Sequence, residues 1–456
     1  MEVARVAATR ALRGTIRVPS DKSLSHRVAL FSAMAQGTSR VSGLLDSLDV
    51  RSTLRAVEAL GATVELAAGE EGLSGTIKGW PAAGPSSPVV PLDCGNSGTT
   101  ARLLLGALSG YEVVACLTGD ESLSQRPMGR VTEPLAMMGA TFAEGDGEHR
   151  EHKKVRPLCA PCAPHPLQQT LPLTVYGSAQ LKALDYVSPV ASAQVKSAIL
   201  LAGLTADGVT RVTEPHKSRD HTELLLPAYG VQVAACGLSV TIEGGQRMRA
   251  SDCMVPGDPS SAAFLLVAAA LIPDSEVTVR DVLLNPTRTG FIAVMRRMGA
   301  DIEILESEQG GLGAERMGAI RVTHRAGLQA TTVKAHEIAS LIDEVPIMAL
   351  LAAAAQGETV FEQVGELRHK ESDRFAAIVA GLNLLGVEAF AQGDDLHVVG
   401  SALQTSGVPL ETHGDHRLAM TWSIAALATG QELAIDGLES IAVSYPGFFE
   451  DLKRLS

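Results

Sequence analysis

One pattern recurs six times along this chain and constrains its fold more than any other feature. Five times a helical pattern ends in an apolar residue, a glycine and a small residue, and a strand-like run follows. The five are "LGATVEL" at Gly61, "MGATFAE" at Gly139, "YGVQVAA" at Gly230, "MGADIEI" at Gly299 and "LGVEAFA" at Gly386. A glycine just past a helix is the usual left-handed cap, and the alternating run after it suits a half-buried strand. Upstream of each lies a second, more apolar helix opened by small polar residues, as in "SLSHRVALFSAMAQG", "NSGTTARLLLGALSG" and "SAQVKSAILLAGL". Ser23 to Gly61 and Ser192 to Gly230 both span 38 residues, and Ser260 to Gly299 spans 39. Such regularity marks a repeated structural unit.

A sixth copy begins at "HGDHRLAMTWSIAALATG" and runs to "YPGFFEDLKRLS" without a final strand. The N-terminus offers an orphan strand, "GTIRVP", which is expected to complete that last repeat. The chain is therefore predicted to form two α/β domains. One holds residues 1–20 plus 255–456, and the other residues 21–254. Each has three β-α-β-α-β-β repeats, and the chain crosses between them twice, near Pro19 and near "MVPGDP". The first helix of each unit is apolar nearly all round, so it belongs inside its domain. The second, as in "LDVRSTLRAVEALG", carries charge on one face and belongs outside. Three buried parallel helices per domain would then present their N-termini at one end, where dipoles and free N–H groups favour anions. Two such ends facing each other predict an anion-binding interdomain cleft.

Composition narrows the ligand. Of 456 residues 46% are hydrophobic and 20% charged, the balance of a globular protein, and the net charge is -13. That acidity argues against nucleic acid as a partner. The longest apolar run, "AAFLLVAAALIP", is too short to span a membrane, and the N-terminus lacks the apolar stretch of a signal peptide. Six scattered cysteines suit a reducing compartment. A cytoplasmic protein without a membrane partner is expected.

Chemistry should sit at the helix starts, and cations gather there. The first unit supplies Lys22, Ser23, His26 and Arg27. The second supplies Asn96, Ser97, Gly98 and Thr99, with Arg102 a turn later; the third supplies Ser192, Gln194 and Lys196. The fifth gives Asp343 and Glu344, and the sixth His413, Asp415, His416 and Arg417. Connecting segments add Arg126, Arg219, Lys370, Glu371 and Arg374. The fourth start, "PGDPSS", has no cation nearby and reads as structural. One such cluster alone is a capped helix with a wet face. Clusters at five equivalent positions point instead to small-molecule substrates carrying several negative charges, gripped by Arg forks and compact Lys charges. Asp343 and Glu371 form a candidate acid–base pair.

In order along the chain, "SDKSLSHR", "GNSGTTAR", "RPMGR", "SAQVKSAILLAGL", "PGDPSSAAF", "NPTRTG", "IDEVPI", "KESDR" and "GDHRLAM" resemble the 5-enolpyruvylshikimate-3-phosphate synthase family, and "SAQVKSA" with "RDHTE" its class II subgroup. The resemblance implies two inside-out α/β domains that close over their substrates. It implies transfer of the enolpyruvyl group of phosphoenolpyruvate to the 5-hydroxyl of shikimate 3-phosphate, with release of phosphate, on the way to chorismate and the aromatic amino acids. Neither metal nor organic cofactor is expected, and a monomer is.

Carried onto matching positions, the resemblance assigns Lys22, Ser23, Arg27, Ser192, Ala193 (through its backbone), Gln194, Arg219, Asp343 and Lys370 to shikimate 3-phosphate. It assigns Lys22, Gly98, Arg126, Gln194, Arg374 and Arg417 to phosphoenolpyruvate. Asp343 is the expected base, and Glu371 and Lys22 the expected proton donors.

Two positions depart from or qualify that pattern. Where relatives carry a lysine, this chain has Ser444. Gly98 leaves room where an alanine obstructs the family's inhibitor glyphosate, so a glyphosate-sensitive site is expected. The related transferase acting on UDP-N-acetylglucosamine is disfavoured, because the loop 119–126 holds no cysteine; Cys116 lies earlier, in the strand-like "YEVVACL". "CAPC" (Cys159 to Cys162) with His165 lacks the second ligand pair that a zinc site needs. His26 is expected to be structural.

Overall fold

The apolar first helices form where small polar residues stop competing with the backbone and start capping it. Asp21, Ser97, Ser192, Asp258 and Asp415 each accept a first-turn N–H. They open the helices Lys22–Met34, Gly98–Ser109, Ala193–Gly203, Pro259–Leu271 and His416–Thr429. The fifth, Val345–Ala353, grows instead from a 3-10 turn, Ile342–Glu344, with Pro346 in its first turn. These coordinates are a computed structural model describing residues 4–6, 11–145, 169–306, 312–405 and 407–456. The segment holding Cys159, Cys162 and His165 lies outside the described residues.

Having no polar face, these helices are buried all round: Val345–Ala353 along its whole length, Pro259–Leu271 at all but its last residue. The second helices keep one wet side. Leu48–Ala59 buries Val50, Leu54 and Val57 while Arg51, Arg55 and Glu58 are exposed. In the third repeat the second helix shrinks to five residues, His221–Leu225, continued by a 3-10 turn, Leu226–Tyr229. The five glycines that mark the repeat all take positive φ, between 75° and 115°.

Among the described residues, five four-stranded sheets share one plan. In the second repeat the strand after the buried helix, Val114–Thr118, pairs antiparallel with Leu173–Tyr176, which pairs with Thr141–Glu144. A short parallel strand, Leu92–Asp93, covers the remaining edge of Val114–Thr118. Asp185–Val187 and Thr332–Val333 do the same in the third and fifth repeats. In the first and fourth repeats these short strands are exchanged. Arg13–Ile16 precedes the first buried helix but pairs with Glu276–Leu283 of the fourth repeat. Cys253–Met254 precedes the fourth buried helix but pairs with Thr38–Leu44 of the first. The expectation that "GTIRVP" closes the sixth repeat is thereby corrected. That repeat is completed by Ala4–Val6, antiparallel to Leu433–Ile435. The physical reason is an open strand edge: Cys253–Met254 serves the first repeat, so Glu276–Leu283 needs a parallel partner from elsewhere.

Contacts divide the described chain into two units. Unit 1 takes the residues up to Pro19, those from Pro256 to Glu306, and Arg316–Ser456. Unit 2 takes Ser20–Val255 and, unexpectedly, Leu312–Glu315. That short excursion adds two crossings to the two anticipated. Within unit 1 the three buried helices pack on one another, and Phe264 and Trp422 belong to the same buried core. Within unit 2 the helices Gly98–Ser109 and Ala193–Gly203 approach closely at Gly106, where a Cβ would lie 2.4 Å from the Ala198 carbonyl oxygen. Only glycine permits that contact. No helix among the described residues is long and apolar enough to cross a membrane.

Candidate functional site

In unit 2 the three buried helices are tied together at their starts. His26 Nδ1 lies 2.7 Å from Thr53 Oγ1, Thr53 Oγ1 lies 2.6 Å from Thr100 Oγ1, and Thr100 donates to Ser97 Oγ at 2.7 Å. Arg102 Nη1 donates to Gln194 Oε1 at 2.7 Å, and Gln194 Nε2 donates to Thr99 Oγ1 at 2.9 Å. Gly98 is the first residue of its helix, at the foot of this bridge. Arg126 donates to Asn96 Oδ1 at 2.8 Å and to Ser122 Oγ at 3.1 Å. Burial, then Arg130 and Arg126, push the Arg102 guanidinium down to about 10. Clustered cations that destabilise one another make this mouth a place for an anion.

Lys22, partly exposed, pairs with Asp49 at 3.1 Å. Arg27 is almost wholly buried and held on three sides. Its Nε donates to Thr222 Oγ1 at 2.8 Å, its Nη2 to Ser197 Oγ at 2.9 Å and its Nη1 to the Ser23 carbonyl at 3.0 Å. Burial pushes it down to about 10; Glu223 and Asp21 oppose that shift, and the half-buried Arg219 adds to it. Ser192 caps the helix that begins at Ala193, and its N–H donates to Glu214 Oε1 at 3.1 Å. Lys196 does not join the converging cations. It is 2% exposed, with Nζ 2.7 Å from both Glu214 and Glu223. Burial pulls its ammonium down, but the two carboxylates outweigh burial and hold it above its ordinary value.

In unit 1 the cations surround one carboxylate. Asp343 Oδ1 lies 3.5 Å from Arg374 Nη1 and 3.8 Å from Lys370 Nζ, and its Oδ2 lies 3.9 Å from Arg417 Nη2. Arg374 is fully buried and forked on Asp415 at 2.7 and 3.3 Å, with Glu371 at 2.6 Å from Nη2. Burial works against its charge, yet Glu371, Asp415 and Asp343 outweigh burial and raise it above its ordinary value. Arg417 Nη1 donates to the Asp343 carbonyl at 3.0 Å and to Glu344 Oε1 at 3.4 Å. Burial raises the Glu344 carboxyl above its ordinary range, against Arg417. His413 stays half exposed, 3.7 Å from Glu411.

Sequence reading left the fourth helix start without a cation, and the structure supplies one. Arg288 donates to Asp258 Oδ1 at 2.7 Å and to Ser260 Oγ at 2.9 Å, and Ser260 in turn bonds Glu344. Arg288 lies inside "NPTRTG", so the signal was in the sequence, 28 residues away from Ser260. Asp49, Glu214, Glu223 and Glu315 were also missed as partners of the site cations and histidines; each stands on an element far from its partner in sequence. Ser444 Oγ is buried without a hydrogen-bond partner. Cys116 lies on the strand Val114–Thr118. No group of three or more His, Cys, Asp or Glu among the described residues is placed to hold a metal ion.

The family model for EPSP synthase (3-phosphoshikimate 1-carboxyvinyltransferase) matches residues 6–452. A 3-phosphoshikimate 1-carboxyvinyltransferase from Geobacillus thermodenitrificans is 45% identical over 448 residues, covering 97% of this chain and 96% of its own. Another from Bacillus subtilis is 44% identical over 446 residues, covering 98% and 97%. The solved structure of EPSP synthase from Acinetobacter baumannii aligns with a TM-score of 0.85 at 37% identity, over 99% of this chain and 98% of that one.

Proposed function

This chain belongs to the EPSP synthase family, and from that premise we propose how it carries out the family's reaction. It transfers the enolpyruvyl group of phosphoenolpyruvate to the 5-hydroxyl of shikimate 3-phosphate and releases phosphate. The observation that carries the site assignment is the single carboxylate of Asp343 within 4 Å of three cations, Lys370, Arg374 and Arg417. Two guanidinium groups and an ammonium converging on one carboxylate bring together the donors that grip phosphate and carboxylate groups.

Two sets of residues hold the substrates in this reading. Lys22, Ser23, Arg27, Ser192, Ala193, Gln194, Arg219, Asp343 and Lys370 bind shikimate 3-phosphate. Lys22, Gly98, Gln194, Arg126, Arg374 and Arg417 bind phosphoenolpyruvate. As the anionic substrates draw these cations to themselves, the Asp343 oxygens become free to take the proton of the 5-hydroxyl. The hydroxyl oxygen attacks C2, and C3 gains a proton from Glu371 or Lys22. A methyl proton then passes from C3 back to that donor, the double bond re-forms, and phosphate leaves with the proton that Asp343 took. The cations offset charge that develops on the way. The enzyme works as a cytoplasmic monomer and needs no metal or organic cofactor.

The test is phosphate release from phosphoenolpyruvate with each of two acceptors. Release with shikimate 3-phosphate and none with UDP-N-acetylglucosamine is expected. The opposite preference would overturn the substrate assignment.

A further inference from the structure

The four residues Leu312–Glu315 group with unit 2 although the described chain on either side of them groups with unit 1. One residue later, the Arg316 carbonyl accepts the N–H of Leu284 at 2.8 Å, back in unit 1. What these four residues hold is specific. Leu312 is buried. Ala314 N–H donates to the Leu224 carbonyl at 3.1 Å. Glu315 Oε1 lies 2.6 Å from His221 Nδ1, and both side chains are fully buried. Gly313 sits at φ +63°, and a Cβ there would lie 2.6 Å from the Leu224 oxygen, so no other residue fits without displacement.

The element they grip is the five-residue helix His221–Leu225, whose N-cap residue makes no side-chain cap bond. A helix this short does not hold itself together in water. It depends on what grips it from outside. The residue after His221 is Thr222, which bonds the Arg27 Nε at 2.8 Å and lies 2.7 Å from Ser197 Oγ, the second hydroxyl on Arg27. The residue after that, Glu223, is taken by Lys196. Thr222 thus has its neighbours clamped on both sides, by Glu315 and by Lys196.

We propose that Leu312–Glu315 is a positioning strap for Arg27. Glu315 fixes His221, His221 fixes the pitch of Thr222, and the Thr222 hydroxyl sets the guanidinium plane that meets shikimate 3-phosphate. The inference rests on the reading that Arg27 grips that substrate. Glu315 and His221 touch no substrate themselves and act through Arg27.

Calorimetric titration of full-length variants with shikimate 3-phosphate tests this. Glu315→Gln and Thr222→Val should each weaken binding roughly tenfold, because a small misplacement of a binding group is costly. The double variant should bind no worse than either single one, since both act on the same contact. KM for shikimate 3-phosphate should rise while kcat at saturation and KM for phosphoenolpyruvate stay near wild type. A lower melting temperature with wild-type affinity would assign Glu315 a merely structural role and overturn the proposal, as would additive losses in the double variant. Gly313→Ala loosens the strap without changing charge; it should reproduce the weakening, and it serves if Glu315→Gln folds poorly. Arg27→Ala is the control. If it binds like wild type, the assignment of Arg27 itself fails; if it loses binding while both strap variants keep it, only the strap fails.

Discussion

Arg102 Nη1 stands 2.7 Å from Gln194 Oε1, and a Cβ added at Gly98 would come within 2.9 Å of that same Nη1. The glycine therefore keeps open the space through which the second buried helix steers the third. Gly98→Ala should push the Arg102 guanidinium aside and release Gln194. The expected result is a raised KM for phosphoenolpyruvate. Glyphosate should inhibit the wild-type enzyme, and the variant should need more of it. Equal inhibition curves for the two proteins would remove the role given to Gly98.

Asp343→Ala should reduce turnover by about 10²–10⁴-fold, the range of a lost general base. Shikimate 3-phosphate should still bind measurably. Phosphoenolpyruvate should bind at least as well as before, because Arg374 and Arg417 lose a competing carboxylate. Steady-state rates and equilibrium titrations check both halves, and near-normal turnover would reject Asp343 as the base.

Lys196→Met should destabilise unit 2 by about 3–5 kcal/mol, because it leaves Glu214 and Glu223 buried without their cation. Adding Glu223→Gln should recover part of that loss. Urea unfolding of the single and double variants measures it. A neutral single variant would mean that the two carboxylates are not held charged.

Burial pulls the His26 imidazole from 6.5 to about 3, so the ring stays neutral in the folded chain. The unfolded chain binds a proton below pH 6.5. Stability from the neutral ring is therefore complete above 6.5 and is lost as pH falls toward 3. Between pH 7 and pH 5 the wild type should lose about 2 kcal/mol more than His26→Asn, whose amide can keep the Thr53 bond without titrating. Unfolding curves at the two pH values measure this, and equal losses in the two proteins would mean that the folded ring takes up its proton as readily as the unfolded one.

The helix starts were legible because their cause is local. Asp21, Ser97, Ser192, Asp258 and Asp415 cap the residues that follow them, and a cap is read within one turn. The apolar first helices and the glycine stops were legible for the same reason. Partnerships across the fold were not. Nothing near Ser260 announces Arg288, and nothing near His221 announces Glu315, 94 residues on. Lys196 looked like one more cation in a row of cations; only the landing of Glu214 and Glu223 beside it removes it from that row. The exchanged edge strands escaped for a related reason. "GTIRVP" reads as a strand, but which open edge it meets depends on where Cys253–Met254 has already gone.

That exchange has a consequence for synthesis. Arg13–Ile16 leaves the ribosome early, while the residues it must pair with follow far behind; Leu12 and its partner Ser275 are 263 positions apart. At ordinary translation speeds the interval is on the order of 10–50 s. During that time Ser20–Val255 can assemble around its own repeats, including the first sheet once Cys253–Met254 emerges. The N-terminal strand meanwhile trails with an unsatisfied edge and nothing native to join. Nascent chains stalled shortly after Val255 should therefore be the most prone to strand-mediated association, and those extended past Leu283 should not.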